Sequence, residues 1–212
     1  MANDRKARKI RRIGIYAGTF DPVHAGHLGF ALQAIQAAEL DKVYFLPERR
    51  PRGKTGVEHF GHRVAMLQRA ARPHPQFGVL ELDDVSFSVA RTLPRLQQRF
   101  AGSQLVFLFG SDILAALPDW PNAAQLLTSA ELVIGLRAQE DRQQLHRLIE
   151  AWPAQPKALT MFDSYAPDVS SGSVRQALAQ RRPAKGLLTS VERYSDRHWL
   201  YISLTRPPVD RP

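Results

Sequence analysis

Ala17-Gly-Thr-Phe-Asp-Pro-Val-His-Ala-Gly-His27 sits between a short apolar run, Ile13-Gly-Ile-Tyr-Ala17, and a stretch with apolar residues at 28, 31, 32, 35 and 38. The run reads as a strand, and the i, i+3, i+4, i+7 spacing over 28–40 predicts an amphipathic helix. Asp41-Lys42 leads into Val43-Tyr-Phe-Leu46, a second buried-type strand that stops at Pro47. Strand, turn, helix and strand within about 35 residues make a βαβ unit, which implies a parallel sheet with a right-handed crossover.

The alternation continues outward from this unit. Helices are predicted over 61–71, 88–99, 123–129, 141–151, 171–181 and 191–200, with strands over 77–80, 105–109, 132–134 and 158–162. Leu105-Val-Phe-Leu-Phe109, ending at Gly110-Ser-Asp112, is the strongest strand signal in the chain. The segment 48–61 is rich in Arg, Pro and Gly and reads as a mobile loop. With no repeat and no linker, the expectation is one α/β domain, a Rossmann-like doubly wound parallel sheet, over residues 13–205. A basic arm, 1–12, and a tail, 206–212, are expected to be flexible.

Composition narrows the class. Apolar residues make up 44% of the 212 and charged residues 23%, as in a soluble globular protein. There is no run of about 18 apolar residues, so no membrane span is expected. The absence of cysteine excludes disulfides and thiolate metal sites. Together with a charged N-terminal stretch that reads as no leader, it points to the cytoplasm. Net charge is +9, and six basic residues against Asp4 place +5 of it on residues 1–12. Such an arm is either a solvated terminus or a contact for an anionic partner. Three tryptophans and five tyrosines, not interleaved with basic residues, argue against nucleic acid.

Ligands of doubly wound sheets bind beyond the carboxyl ends of the strands, so the residues after each strand carry the functional reading. Small residues at Ala17 and Gly18 let backbone amides approach a phosphate. Gly26 and His27 fall where the next helix begins and offers unpaired N–H groups with partial positive charge. His24 and His27 place two imidazoles at that end, able to donate to charge developing on a phosphoryl oxygen. By itself a His-x-x-His pair also suits surface decoration or part of a metal site. Here no carboxylate or cysteine is spaced to complete a zinc set, and the loop lacks the Gly-Lys-Ser/Thr ending of a Walker sequence. Val169-Ser-Ser-Gly-Ser-Val-Arg175 is a second element, a serine-rich helix start with Arg175 one turn in. It reads as an ordinary capped helix or, paired with the first element, as a second phosphate clamp.

Gly-Thr-Phe-Asp-Pro-x-His-x-Gly-His followed late by Ser-Ser-x-x-x-Arg resembles the HxGH nucleotidyltransferase superfamily. Further pieces are similar to the bacterial nicotinate-nucleotide adenylyltransferases: Leu46-Pro47 with a basic loop, Arg63 and Met66, Thr92-Leu93, Phe109-Gly-Ser-Asp-Ile-Leu114, Trp120, and Leu132-Val-Ile134 leading to Arg137. The resemblance spans roughly residues 13–200. It implies a Rossmann-like fold and transfer of AMP from ATP to the phosphate of nicotinate mononucleotide in NAD biosynthesis. Magnesium would bridge phosphate oxygens, with no protein residue assigned as a metal ligand.

On this resemblance His24, His27 and Arg175 are the expected catalytic residues. Ala17, Gly18, Thr19, Phe20, Gly110, Asp112, Ser170 and Ser171 join them in holding ATP, although Asp112 suits a helix cap equally well. Phe87, Ser88, Val89, Trp120 and Arg137 are the expected acceptor contacts. The chain departs from the family pattern at Ala17 for glycine, Gly172 for threonine, Val89 for the threonine of the nicotinate pocket, and Pro51-Arg52-Gly53-Lys54 for Pro-Pro-His-Lys. The acceptor half therefore carries more change than the triphosphate half. The same transfer to nicotinamide mononucleotide or phosphopantetheine, or a catalytically weak nucleotide-binding regulator, stands as an alternative.

Overall fold

A computed structural model of the chain describes residues 11–137, 140–164 and 169–202. The arm up to residue 10 and the tail 206–212 lie outside the described residues. Arg11 and Arg12, assigned to the arm on charge alone, instead open the first strand. The Arg12 guanidinium forks onto Glu131 at 2.6 and 3.1 Å, and its amide donates to Asp41.

Six strands form one all-parallel sheet: β1 (Arg11–Gly18), β2 (Lys42–Pro47), β3 (Phe77–Val79), β4 (Ser103–Gly110), β5 (Glu131–Leu136) and β6 (Leu159–Asp163). Their spatial order is β3-β2-β1-β4-β5-β6, so the winding reverses between β1 and β4. That reversal opens a crevice at the carboxyl ends of those two strands. The helices are α1 (Ala25–Ala37), α2 (Phe60–Ala71), α3 (Val89–Arg99), α4 (Ala123–Ser129), α5 (Arg142–Glu150), α6 (Ser171–Ala179) and α7 (Thr189–Arg197). Two 3-10 turns after β4, Ser111–Ile113 and Leu117–Asp119, escape the sequence reading because one tight turn is too short to show a period.

The period-2 alternation of the strands divides the core in two. Leu105, Phe107 and Phe109 of β4 point to the face covered by α3, α4 and α5; Val106 and Leu108 point to the face covered by α1, α2 and α7. Because both faces are covered, the strands read as unbroken apolar runs rather than alternating ones. Each buried Leu or Phe contributes about 1.5–3 kcal/mol by leaving water. Helix α1 begins at Ala25, three residues before the apolar period starts, so the histidine pair belongs to its first turn.

Candidate active site

A cleft of about 1120 Å³ opens at the β1–β4 switch point. Its floor is the ends of β1, β4 and β5; its walls are the turn 18–27, the loop after β2, the 3-10 turns and the start of α6. The turn is folded tightly enough to dictate its residues. The Phe20 ring, 2% exposed, lies 2.9 Å from where a Cβ on Gly18 would stand. A side chain at 18 would push that ring out of its packing against Tyr16, Phe45 and His27.

His24 caps α1 from an extended backbone, and its amide donates to Nδ1 of His27 at 3.2 Å. A side chain at the third helical position reaching back to the cap amide is half of a capping box. It also sets the tautomer: Nδ1 of His27 accepts, so Nε2 of the neutral ring carries the proton. Nδ1 of His24 is buried without a partner, and an orphan lone pair costs less than an orphan N–H, which leaves its Nε2 protonated too. The two rings lie 3.8 Å apart. Burial lowers His24 to about 4. Burial, then the neighbouring His24 and Lys54, pushes His27 well below the ordinary imidazole value. Both rings are therefore neutral N–H donors near pH 7.

Asp21 anchors the turn. Its carboxylate, on a residue 2% exposed, accepts the Tyr201 hydroxyl at 2.7 Å and the Glu58 amide at 3.3 Å, and lies 3.8 Å from Arg175. Burial first, then Asp21, raises the Tyr201 phenol far above its ordinary value. Helix α6 docks on the same turn: Arg175 donates to the Asp21 carbonyl at 2.6 Å and Ser171 to the Pro22 carbonyl at 3.0 Å. Ser170 and Ser173 cap α6 reciprocally. The two sequence elements are thus one structure, although the hydroxyls of Ser170 and Ser171 are engaged by protein groups.

Arg63, 1% exposed, donates to the carbonyls of Thr19, Glu48, Arg49 and Glu58 at 2.7–3.1 Å. It pins the phosphate-type turn and both roots of the loop 48–58. That loop, read from sequence as mobile, folds back over the cleft. Lys54 Nζ donates to Thr19 Oγ1 at 2.9 Å, and Arg52 reaches Ser86 Oγ at 3.3 Å and the Phe87 carbonyl at 3.4 Å.

Ala17, Gly18, Thr19, Phe20, His24, His27, Gly110, Asp112, Ser170, Ser171 and Arg175 all line the cleft, as do Phe87, Trp120 and Arg137. Asp112 caps no helix; it lies inside the first 3-10 turn and pairs with Arg137 at 3.2 Å. Ser88 and Val89 do not line the cleft. Ser88 is the cap residue of α3, its amide donating to Thr92 Oγ1, and Val89, 3% exposed, faces the core beside Leu93 and Leu96. The first turn of α3 turns position 89 inward, away from the expected acceptor contact. Sequence reasoning gave no role to Arg52, Lys54 or Tyr201. The basic loop was visible for the first two; nothing local marks Tyr201, 180 residues from its partner.

Among the described residues no group of three His, Asp or Glu side chains could hold a metal ion, and no helix is long and apolar enough to cross a membrane.

Residues 15–177 match the cytidylyltransferase-like family. The chain is 34% identical to a probable nicotinate-nucleotide adenylyltransferase of Roseiflexus sp. over 89% of this chain and 97% of that protein. It is 31% identical to the nicotinate-nucleotide adenylyltransferase of Bacillus subtilis over 92% of this chain and 100% of that one. Its fold is similar to that of Plasmodium falciparum nicotinic acid mononucleotide adenylyltransferase complexed with NaAD, with a TM-score of 0.75, 16% identity, and coverage of 90% and 97%. The chain belongs to the cytidylyltransferase-like family, as a nucleotidyltransferase of its nicotinate-nucleotide adenylyltransferase group.

Proposed function

We propose that the cleft transfers AMP from ATP to the 5′-phosphate of nicotinate mononucleotide, releasing pyrophosphate, as a cytoplasmic step of NAD biosynthesis. The observation that carries this reading is the pair of neutral imidazoles held at the N-terminus of α1 by a backbone hydrogen bond. An oxygen of the acceptor phosphate attacks the α-phosphorus in line, and the bond to the bridging oxygen of pyrophosphate breaks. The acceptor oxygen is already ionised, so the protein supplies position and charge compensation rather than a base. His24 and His27 donate Nε2–H to the α- and β-phosphates, donors that need no reorganisation as charge moves onto the leaving oxygen. Because the rings are neutral, net positive charge comes from Lys54, Arg175 and the start of α1. Thr19 and the backbone at 17–18 hold a phosphate, while Gly110 and Asp112 meet the adenosine.

Magnesium fits this site only as the companion of the triphosphate. The carboxylates at hand are committed: Asp21 to Tyr201 and Arg175, Asp112 to Arg137, Glu48 to the Phe87 amide. The ion would be held by phosphate oxygens and would offset their negative charge.

The test is pyrophosphate release from ATP, magnesium and nicotinate mononucleotide by wild type and His27→Ala. Loss of one preorganised donor lowers kcat by about 100-fold or more. A variant that keeps most of the activity would remove His27 from the mechanism.

A further inference from the structure

We propose that Arg52 reads the negative charge on the acceptor's ring, and so makes this enzyme select a pyridine carboxylate over the corresponding amide. The proposal rests on the adenylyl-transfer reading above.

Three observations converge on Arg52. The first is place. Two residues apart on one loop, Lys54 reaches the phosphate turn and Arg52 the opposite end of the cleft, beside Phe87. There Phe87 and Trp120 lie 6.1 Å apart, and Trp120 meets Phe109 edge-on at 5.9 Å. These rings form an apolar wall suited to a flat aromatic ring. The second is unused capacity. Of the other arginines lining the cleft, Arg137 pairs with Asp112 and Arg175 with Asp21. Among the described residues Arg52 has no carboxylate partner; its acceptors are the neutral Ser86 hydroxyl and Phe87 carbonyl, at 3.3 and 3.4 Å. A guanidinium with spare N–H groups against an apolar wall matches the two oxygens of a carboxylate.

The third is a missing alternative. Val89, where the resemblance places a threonine of the ring pocket, is buried in the core, and its side chain carries no polar atom. A cation in the cleft takes over discrimination from that hydroxyl. The amide analogue gives the guanidinium one neutral oxygen in place of an anion. It therefore loses the charge interaction while keeping every contact with the rings.

The experiment compares kcat and KM on nicotinate mononucleotide and nicotinamide mononucleotide for wild type, Arg52→Met and Arg52→Lys, with KM for ATP as the control. Wild type is expected to favour the acid. In Arg52→Met the efficiency on the acid falls about 30-fold or more through KM, as for truncating one partner of a charge pair. The amide changes less than about threefold, KM for ATP holds, and Arg52→Lys recovers part of the preference. Equal losses on both acceptors would make Arg52 a loop anchor and overturn the proposal, as would an unchanged preference for the acid in Arg52→Met. A wild type silent on both acceptors would overturn the adenylyl-transfer reading, and this proposal with it.

Discussion

The two ends of the cleft are built by different means. At the phosphate end Phe20, Asp21 and His24 are 2–5% exposed, and the turn that carries them is held by α6, α2 and Tyr201. At the acceptor end the polar groups are long side chains on an exposed loop, Arg52 foremost, held by bonds of 3.3–3.4 Å. Catalysis by fixed donors tolerates little displacement, so those donors are embedded in packed backbone. Choice of acceptor rests on side chains that can be exchanged without refolding anything, as is usual for loops on a rigid scaffold. The departures from the family pattern at 52 and 53 fall in the second region, whereas those at 17 and 172 in the first exchange only small residues.

The sharpest way to break this contrast is to remove the residue shared by both ends. Arg63→Ala leaves the carbonyls of Thr19, Glu48, Arg49 and Glu58 without their donor and Asp21 with Arg175 alone as a neighbouring cation. The expected loss is about 3–5 kcal/mol of stability, in the range seen when one member of a buried charged network is deleted. Thermal unfolding would then move down by roughly 10 °C for a domain of this size. A shift of only a degree or two would mean that the turn and the loop are each stable alone, with no shared hub.

Tyr201→Phe tests the phosphate end by itself. It deletes the hydroxyl that donates to Asp21 at 2.7 Å and leaves the ring in place. Loss of a hydrogen bond to a charged acceptor costs about 1.5–3 kcal/mol. With Asp21 less restrained, KM for ATP should rise several-fold while KM for the mononucleotide stays within twofold, both as rough expectations. A matching rise in both constants would show that the two ends are mechanically coupled.

The fold was legible because the βαβ pattern and the strand–helix alternation are local signals, and all six strands and seven helices needed only end corrections. The turn 17–27 was legible for a related reason: glycine, proline and histidine in a strand-to-helix junction have few other uses. What escaped was long-range. Tyr201 meets Asp21 only after the sheet is assembled, and Arg63 reveals its four carbonyl partners only once the loop closes. Val89 lies in the core rather than in the cleft lining because its orientation depends on the rotation of α3, which a motif comparison does not fix.

The last expected effect is absent at neutral pH and emerges only in acid. The folded-state value of His24 is lowered to about 4 by burial, against about 6.5 in an unfolded chain. Between those limits the unfolded chain binds a proton that the folded one refuses, so stability falls as pH drops from about 6.5 towards 4 and is fully present above 6.5. Asn retains good capping chemistry at the start of α1 but cannot titrate, so His24→Asn should unfold with a shallower dependence on pH across that window. The difference between the two curves reports the His24 ring together with its effect on the neighbouring His27. Parallel curves would mean that His24 titrates alike in both states. The imidazoles would then approach the triphosphate as cations at mildly acid pH, and the division of labour between neutral donors and the charges of Lys54 and Arg175 would fail.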